Sequence, residues 1–174
     1  MVRTLRVAVV PSHPFHIGPA EDSRMVNQIY HLVDLGVELH FISPFRDMPL
    51  PKHDLFHFYS LSSHPFVYES IYRLTRRSFY NPLVAPLLLS SHRYLELSAS
   101  SFSKKLEKAL KTLDVDVILA IQHVAAAACA KIKDKLGIPV VLDICGIWAE
   151  TMIDSGTLKR DSVPARCVRE FELD

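Results

Sequence analysis

Three short stretches of this chain carry residue types from which a polar site could be built. In Gln122-His123-Val124 a histidine directly follows an apolar run. An imidazole there suits an acceptor hydroxyl as donor or base, and a histidine satisfied by a structural neighbour is the competing reading. Asp143 stands inside an apolar run, and buried carboxylates are rare unless paired. It is therefore a better functional candidate than a surface acid, with a salt bridge or a cap for the following loop as the alternative. Trp148 and Glu150 could line a sugar site, the ring stacking on a pyranose and the carboxylate accepting hydroxyls. The alternative for Trp148 is a ring packed over a sheet edge.

The third stretch, Ser12 to Asp22, contains neither G-x-G-x-x-G nor G-x-x-x-x-G-K-[ST], which argues against a dinucleotide fingerprint and a P-loop. Gly18 still precedes a helix start that could receive a phosphate, with a plain turn as the other reading. His13, His16 and His123 invite a metal reading, but no cysteine or carboxylate stands at ligand spacing. No metal is assigned, and His16 is kept with Gly18 as a substrate-binding candidate. Cys145 and Gly146 directly follow the Asp143 run. A nucleophilic thiol would need a base and an orienting partner, so a small buried cysteine is the preferred reading of Cys145.

These residues acquire meaning from the elements that must position them. Leu5 to Val10 is a nearly continuous β-branched run stopped by Pro11, the pattern of a parallel strand buried on both faces. Met25, Ile29 and Leu32 repeat at helical spacing behind a cap at Asp22 or Ser23, and Gly36 ends that helix. Val37 to Ser43 completes a β-α-β unit. A third strand is predicted at Leu55 to Leu61, one or two helices over Pro65 to Leu97, and an amphipathic helix from Phe102 to Leu113. Val115 to Ile121, a helix over Ala125 to Leu136 closed by Gly137, and a strand over Ile138 to Ile144 follow. This order predicts a doubly wound, mostly parallel α/β sheet of Rossmann-like type with helices on both faces. Ligands bind such sheets outside the carboxyl ends of the strands, where all three stretches fall. The five strand ends should then share one cleft.

Composition sets the remaining bounds. With 174 residues, 49% apolar and 22% charged, the chain fits one ordinary domain, 1–174, and its net charge of +1 gives no reason to expect nucleic acid. Cys129, Cys145 and Cys167 form no CxxC pair and no framework, which indicates a reducing compartment. Val7 to Val10 is too short for a signal sequence, and no run approaches the roughly 20 residues of a spanning helix. The expected location is cytoplasmic. Residues 66–93 mix Arg73, Arg76, Arg77, His92 and Arg93 with aromatic side chains. That mixture suits peripheral contact with a membrane or a lipid-linked phosphate, and it also suits an amphipathic helix with a solvated basic face, which is the preferred reading. Ser162-Val163-Pro164 opens a last helix that reaches only Asp174, which favours a domain cut from a longer chain.

The ordered combination of motifs resembles the amino-terminal domain of the family-4 type retaining glycosyltransferases, one half of the two-Rossmann-domain GT-B fold. The resemblance rests on Leu35-Gly36 before Val37 to Ser43, on Asp114 to Ala120, and on Leu136-Gly137-Ile138-Pro139-Val140-Val141-Leu142-Asp143. Ile147-Trp148-Ala149-Glu150 is similar to an aspartate-leucine-tryptophan-proline-glutamate motif of a subgroup that builds surface polysaccharides. Two positions depart from the pattern: Ile17-Gly18-Pro19 replaces paired glycines, and Cys145-Gly146 replaces a histidine-glycine or arginine-aspartate pair.

The resemblance implies an acceptor-binding domain, inactive alone, for a sugar or lipid-linked acceptor. The nucleotide-sugar donor would be held mainly by a carboxyl-terminal Rossmann domain, with no cofactor and no metal. His123 and Asp143 are then the catalytic candidates, and His16, Gly18, Cys145, Gly146, Trp148 and Glu150 the substrate-binding ones. A sugar-nucleotide epimerase or phosphorylase on the same scaffold and a free-standing phospho-ligand-binding module are the alternatives.

Overall fold

The computed structural model describes residues 3–11, 20–44, 52–61, 92–144 and 146–173. Strands β1 (Arg6–Pro11), β2 (Glu38–Ser43), β3 (Phe56–Ser60), β4 (Val117–Ile121) and β5 (Val140–Asp143) form one sheet in the order β3-β2-β1-β4-β5. Every pairing is parallel. Helices α1 (Ala20–Asp34), α2 (His92–Leu110), α3 (His123–Ala130), α4 (Lys133–Leu136), α5 (Trp148–Asp154) and α6 (Val163–Leu173) accompany it. The fold is thus the parallel, Rossmann-like α/β arrangement that the apolar runs predict, and strand order reverses between β1 and β4.

Alternation along the strands divides the core into two layers. Val7, Val9, Leu39 and Phe41 pack against Met25, Ile29 and Val33 of α1. Ala8, Val10, Ile42, Ile118 and Ala120 face the other way, against Phe102, Leu106 and Leu110 of α2 and Ala125, Ala128 and Cys129 of α3. The alanines of α3 let its backbone approach the sheet closely. A third cluster joins Leu95 and Ala99 of α2 to Ala149 and Met152 of α5 and to Ala165, Val168 and Phe171 of α6. It extends the α2 layer past the carboxyl end of the sheet, where His123 and Trp148 lie.

Local signals place most boundaries. Ser162 Oγ accepts the Ala165 N–H at 3.4 Å, so the predicted cap of the last helix is present. Gly137 adopts φ +65° at the end of α4, a left-handed conformation that carries the chain into β5. Four elements differ from the sequence expectation. The first helix begins at Ala20, so Asp22 and Ser23 lie within it rather than at its cap. The amphipathic helix begins at His92 rather than Phe102, because Leu95 and Ala99 continue the buried stripe of Phe102 and Leu106 one cluster further. The helix over 125–136 is two, broken where the Ile132 N–H turns back to the Cys129 carbonyl, 3.1 Å away. Residues 148–154, to which the sequence reading assigned no element, form α5.

Candidate functional site

The crevice at a reversal of strand order is where an open parallel sheet presents strand ends to a ligand. Here that point lies between β1 and β4. The loop after β1, with His13, His16 and Gly18, lies outside the described residues, as do Cys145 and the basic segment up to residue 91. The remaining candidates come from the ends of β4 and β5.

Gln122, directly after β4, has φ 69° and ψ 166°. This region is essentially reserved for glycine, and a side chain held there costs on the order of 1–3 kcal/mol. The bonds that hold it are tertiary. Its N–H donates to the Asp143 carbonyl at 3.0 Å, while its own carbonyl accepts the Ala126 N–H at 2.9 Å inside α3. The strained residue therefore fastens β4 to β5 and starts α3 with His123 as its first residue.

His123 is nearly buried, with 9% of its side chain exposed, and its Nε2 lies 3.0 Å from Glu172 Oε1, also on a 9% exposed side chain. Its ring stacks on Trp148 at 5.8 Å between centroids and 17° between planes. Glu172, near the end of α6, also accepts the backbone N–H of Trp148 at Oε1 and that of Ala149 at Oε2, 3.3 Å away. One carboxylate thus caps α5 and binds the imidazole that opens α3. Ile147, at the cap position, makes no side-chain cap bond, so Glu172 supplies from afar what a local serine or aspartate usually does.

Asp143 sits across the sheet. Its register partner Ile121 belongs to the α1 layer, and Arg24 Nη2 of α1 donates to Asp143 Oδ1 at 2.8 Å. The Gln28 amide, oriented to donate its nitrogen to Asp143 Oδ2 at 3.2 Å, accepts from Arg24 Nη1 at the same distance. The expectation of one shared cleft needs correcting at this point. Backbones of residues 122 and 143 are hydrogen-bonded, but the two side chains part at the sheet edge, Asp143 toward α1 and His123 toward α5 and α6. Asp143 is also half-buried on an edge strand rather than enclosed, because Val141 and Leu142 beside it are exposed.

The residues beyond β5 are placed as follows. Gly146 has φ +121°, which favours glycine, although a Cβ there would come no closer than 3.6 Å to Thr151 Oγ1. Trp148 is half-buried, one ring face taken by His123, so a pyranose would have to meet the ring elsewhere. Glu150 is held by α6: Oε1 accepts from Arg169 Nη2 at 2.7 Å and Nε at 3.1 Å, and Oε2 from Arg160 Nη1 at 2.9 Å. The hydrogen bond from Arg169, more than the charge of either arginine, holds its carboxyl below the ordinary range. Both of its oxygens are thus engaged by guanidinium groups, on a side chain still 34% exposed.

Arg24, Glu172 and Arg169 were not among the sequence candidates. They are charged residues on helices, and only their long-range partners distinguish them from a solvated face.

A second polar group lies on the α2 face, away from the strand ends. Glu38 Oε1 is 3.3 Å from His40 Nε2 and 3.2 Å from His57 Nε2, and His40 Nδ1 is 3.1 Å from the Tyr59 hydroxyl. Burial lowers the pKa of His40, with Glu38 opposing and His57 and Arg6 adding to the effect. Cys129 is buried among apolar side chains, which push its thiol up to about 12. It is an inert packing residue. Among the described residues no three His, Cys, Asp or Glu side chains are placed to hold a metal ion, and no helix is long and apolar enough to cross a membrane.

Comparison of the chain with protein-family models and with curated proteins found no match.

Proposed function

We propose that this chain is the acceptor-binding domain of a nucleotide-sugar-dependent retaining glycosyltransferase that acts in polysaccharide or glycolipid synthesis at the cytoplasmic side. The observation that carries this reading is the junction after β4. A strained Gln122 and a nearly buried His123 sit at the point where strand order reverses, and Trp148 stacks on the imidazole. Backbone strain persists only where its surroundings over-determine it, and it clusters at sites of function.

The motif order over 114–150 that resembles family-4 enzymes supplies the chemistry. An acceptor hydroxyl meets His123 as it attacks the sugar carbon, and the nucleoside diphosphate departs with the electron pair of the bond that breaks. The donor is held by a second Rossmann domain, where helix ends and basic groups neutralise the leaving diphosphate without a metal. On the acceptor side, His123 and the Gly146 to Glu150 stretch are the contact residues. Asp143 acts from the opposite face, where it keeps Arg24 at the sheet edge.

Transfer from labelled nucleotide sugars to oligosaccharide or lipid-linked acceptors, assayed with a protein in which this domain is joined to its donor-binding partner, tests the reading. Product that depends on His123 supports it. Epimerised donor without transfer would favour the alternative of an epimerase on the same scaffold.

A further inference from the structure

We infer that Glu172, on the last helix, is a positioning residue that fixes the orientation and tautomer of His123, with the imidazole proton on Nε2. The inference rests on the glycosyl-transfer reading for the task of the imidazole, and on geometry for its tautomer.

A carboxylate that receives N–H groups is an acceptor and offers no proton. Glu172 already accepts the backbone N–H of Trp148 at Oε1 and that of Ala149 at Oε2. The Nε2 atom 3.0 Å from Oε1 must then bring its own hydrogen. In a neutral imidazole this leaves the lone pair on Nδ1, and the second nitrogen of a histidine is set by the bond the first one makes. Both side chains are 9% exposed, so water competes weakly for either partner. Stacking on Trp148 restricts rotation of the ring about the same axis.

The arrangement also explains why a charged residue is spent inside α6. Arg169 and Glu172 both reach back to α5, to Glu150 and to the first N–H groups, so α6 acts as the rear wall that aligns α5 and the imidazole together.

Nitrogen-15 NMR of histidine side chains in the chain itself tests this without substrate. The inference predicts that neutral His123 carries its proton on Nε2; a proton on Nδ1 with a bare Nε2 would overturn it. In Glu172→Gln the titration midpoint of His123 should fall by about one unit or more, because the facing charge is lost. Glu172→Asp should recover part of that fall. An unchanged midpoint in a folded Glu172→Gln protein contradicts the inference, and the wild-type measurement decides the matter if that variant does not fold. Because this measurement needs no turnover, an Nε2 proton in the chain together with no sugar transfer by the protein joined to its donor-binding domain would sink the glycosyltransferase reading and leave the role of Glu172 standing.

Discussion

Arg24 donates to Asp143 at 2.8 Å, and this bond links the helix that follows the first strand to the edge strand at the other end of the order reversal. It fixes the side of the sheet on which Asp143 acts. The carboxylate is 17% exposed and the guanidinium 43% exposed, so the pair contributes little to folding, about 0–1 kcal/mol. Asp143→Ala should therefore barely move the unfolding midpoint, whereas His123→Ala should lower transfer by the full enzyme by about 10²-fold. Unchanged turnover in His123→Ala would remove the imidazole from the mechanism.

Glu172 contributes more to stability than any exposed pair. Its removal leaves the N–H groups of Trp148 and Ala149 and the imidazole of His123 without their acceptor in a nearly dry place. Glu172→Ala should cost about 2–3 kcal/mol, read as a lower urea midpoint at constant slope. A loss no greater than that of a surface substitution would mean that α5 is capped by something else.

Gln122 offers a test of opposite sign. Glycine adopts its backbone conformation without strain, so Gln122→Gly should raise stability by about 1 kcal/mol after the entropy glycine adds to the unfolded chain. Gln122→Val should lower it. Destabilisation by the glycine would show that the glutamine side chain holds the junction more strongly than the strain opposes it.

His40 predicts an acid limb. Its folded pKa is lowered from 6.5, chiefly by burial, so below about pH 6.5 the unfolded state binds a proton that the folded state refuses. Stability is full above that pH and declines as pH falls toward the folded value. His40→Asn should flatten the slope of stability between pH 6.5 and the folded pKa; an identical slope in both proteins would contradict the assignment.

These tests divide according to what the sequence made legible. Strand positions were readable because buried parallel strands leave unbroken β-branched runs: Val7 to Val10 and Val117 to Ile121 need no partner to be recognised. The helix at 148–154 was not readable. Ile147 gives no capping signal, and the cap it uses arrives from Glu172, which only the fold brings near. The same holds for Asp143. Its isolation among apolar residues marked it as paired, yet nothing local named Arg24 or showed that its side chain leaves the sheet opposite to that of His123. The break at Lys131-Ile132 contains neither Gly nor Pro, so periodicity ran through it. Residue types revealed where chemistry could gather, while the face on which each side chain acts depended on tertiary contacts.

The most direct test of the central claim is chemical-shift mapping of the chain against soluble acceptor oligosaccharides and, separately, against nucleoside diphosphates. Acceptors should perturb Gln122 to Val124 and Gly146 to Glu150 and quench the fluorescence of Trp148, the one tryptophan of the sequence, while nucleotides leave both unchanged. Perturbation only by nucleotides, or confined to the amino-terminal ends of the strands, would contradict an acceptor site at this sheet edge.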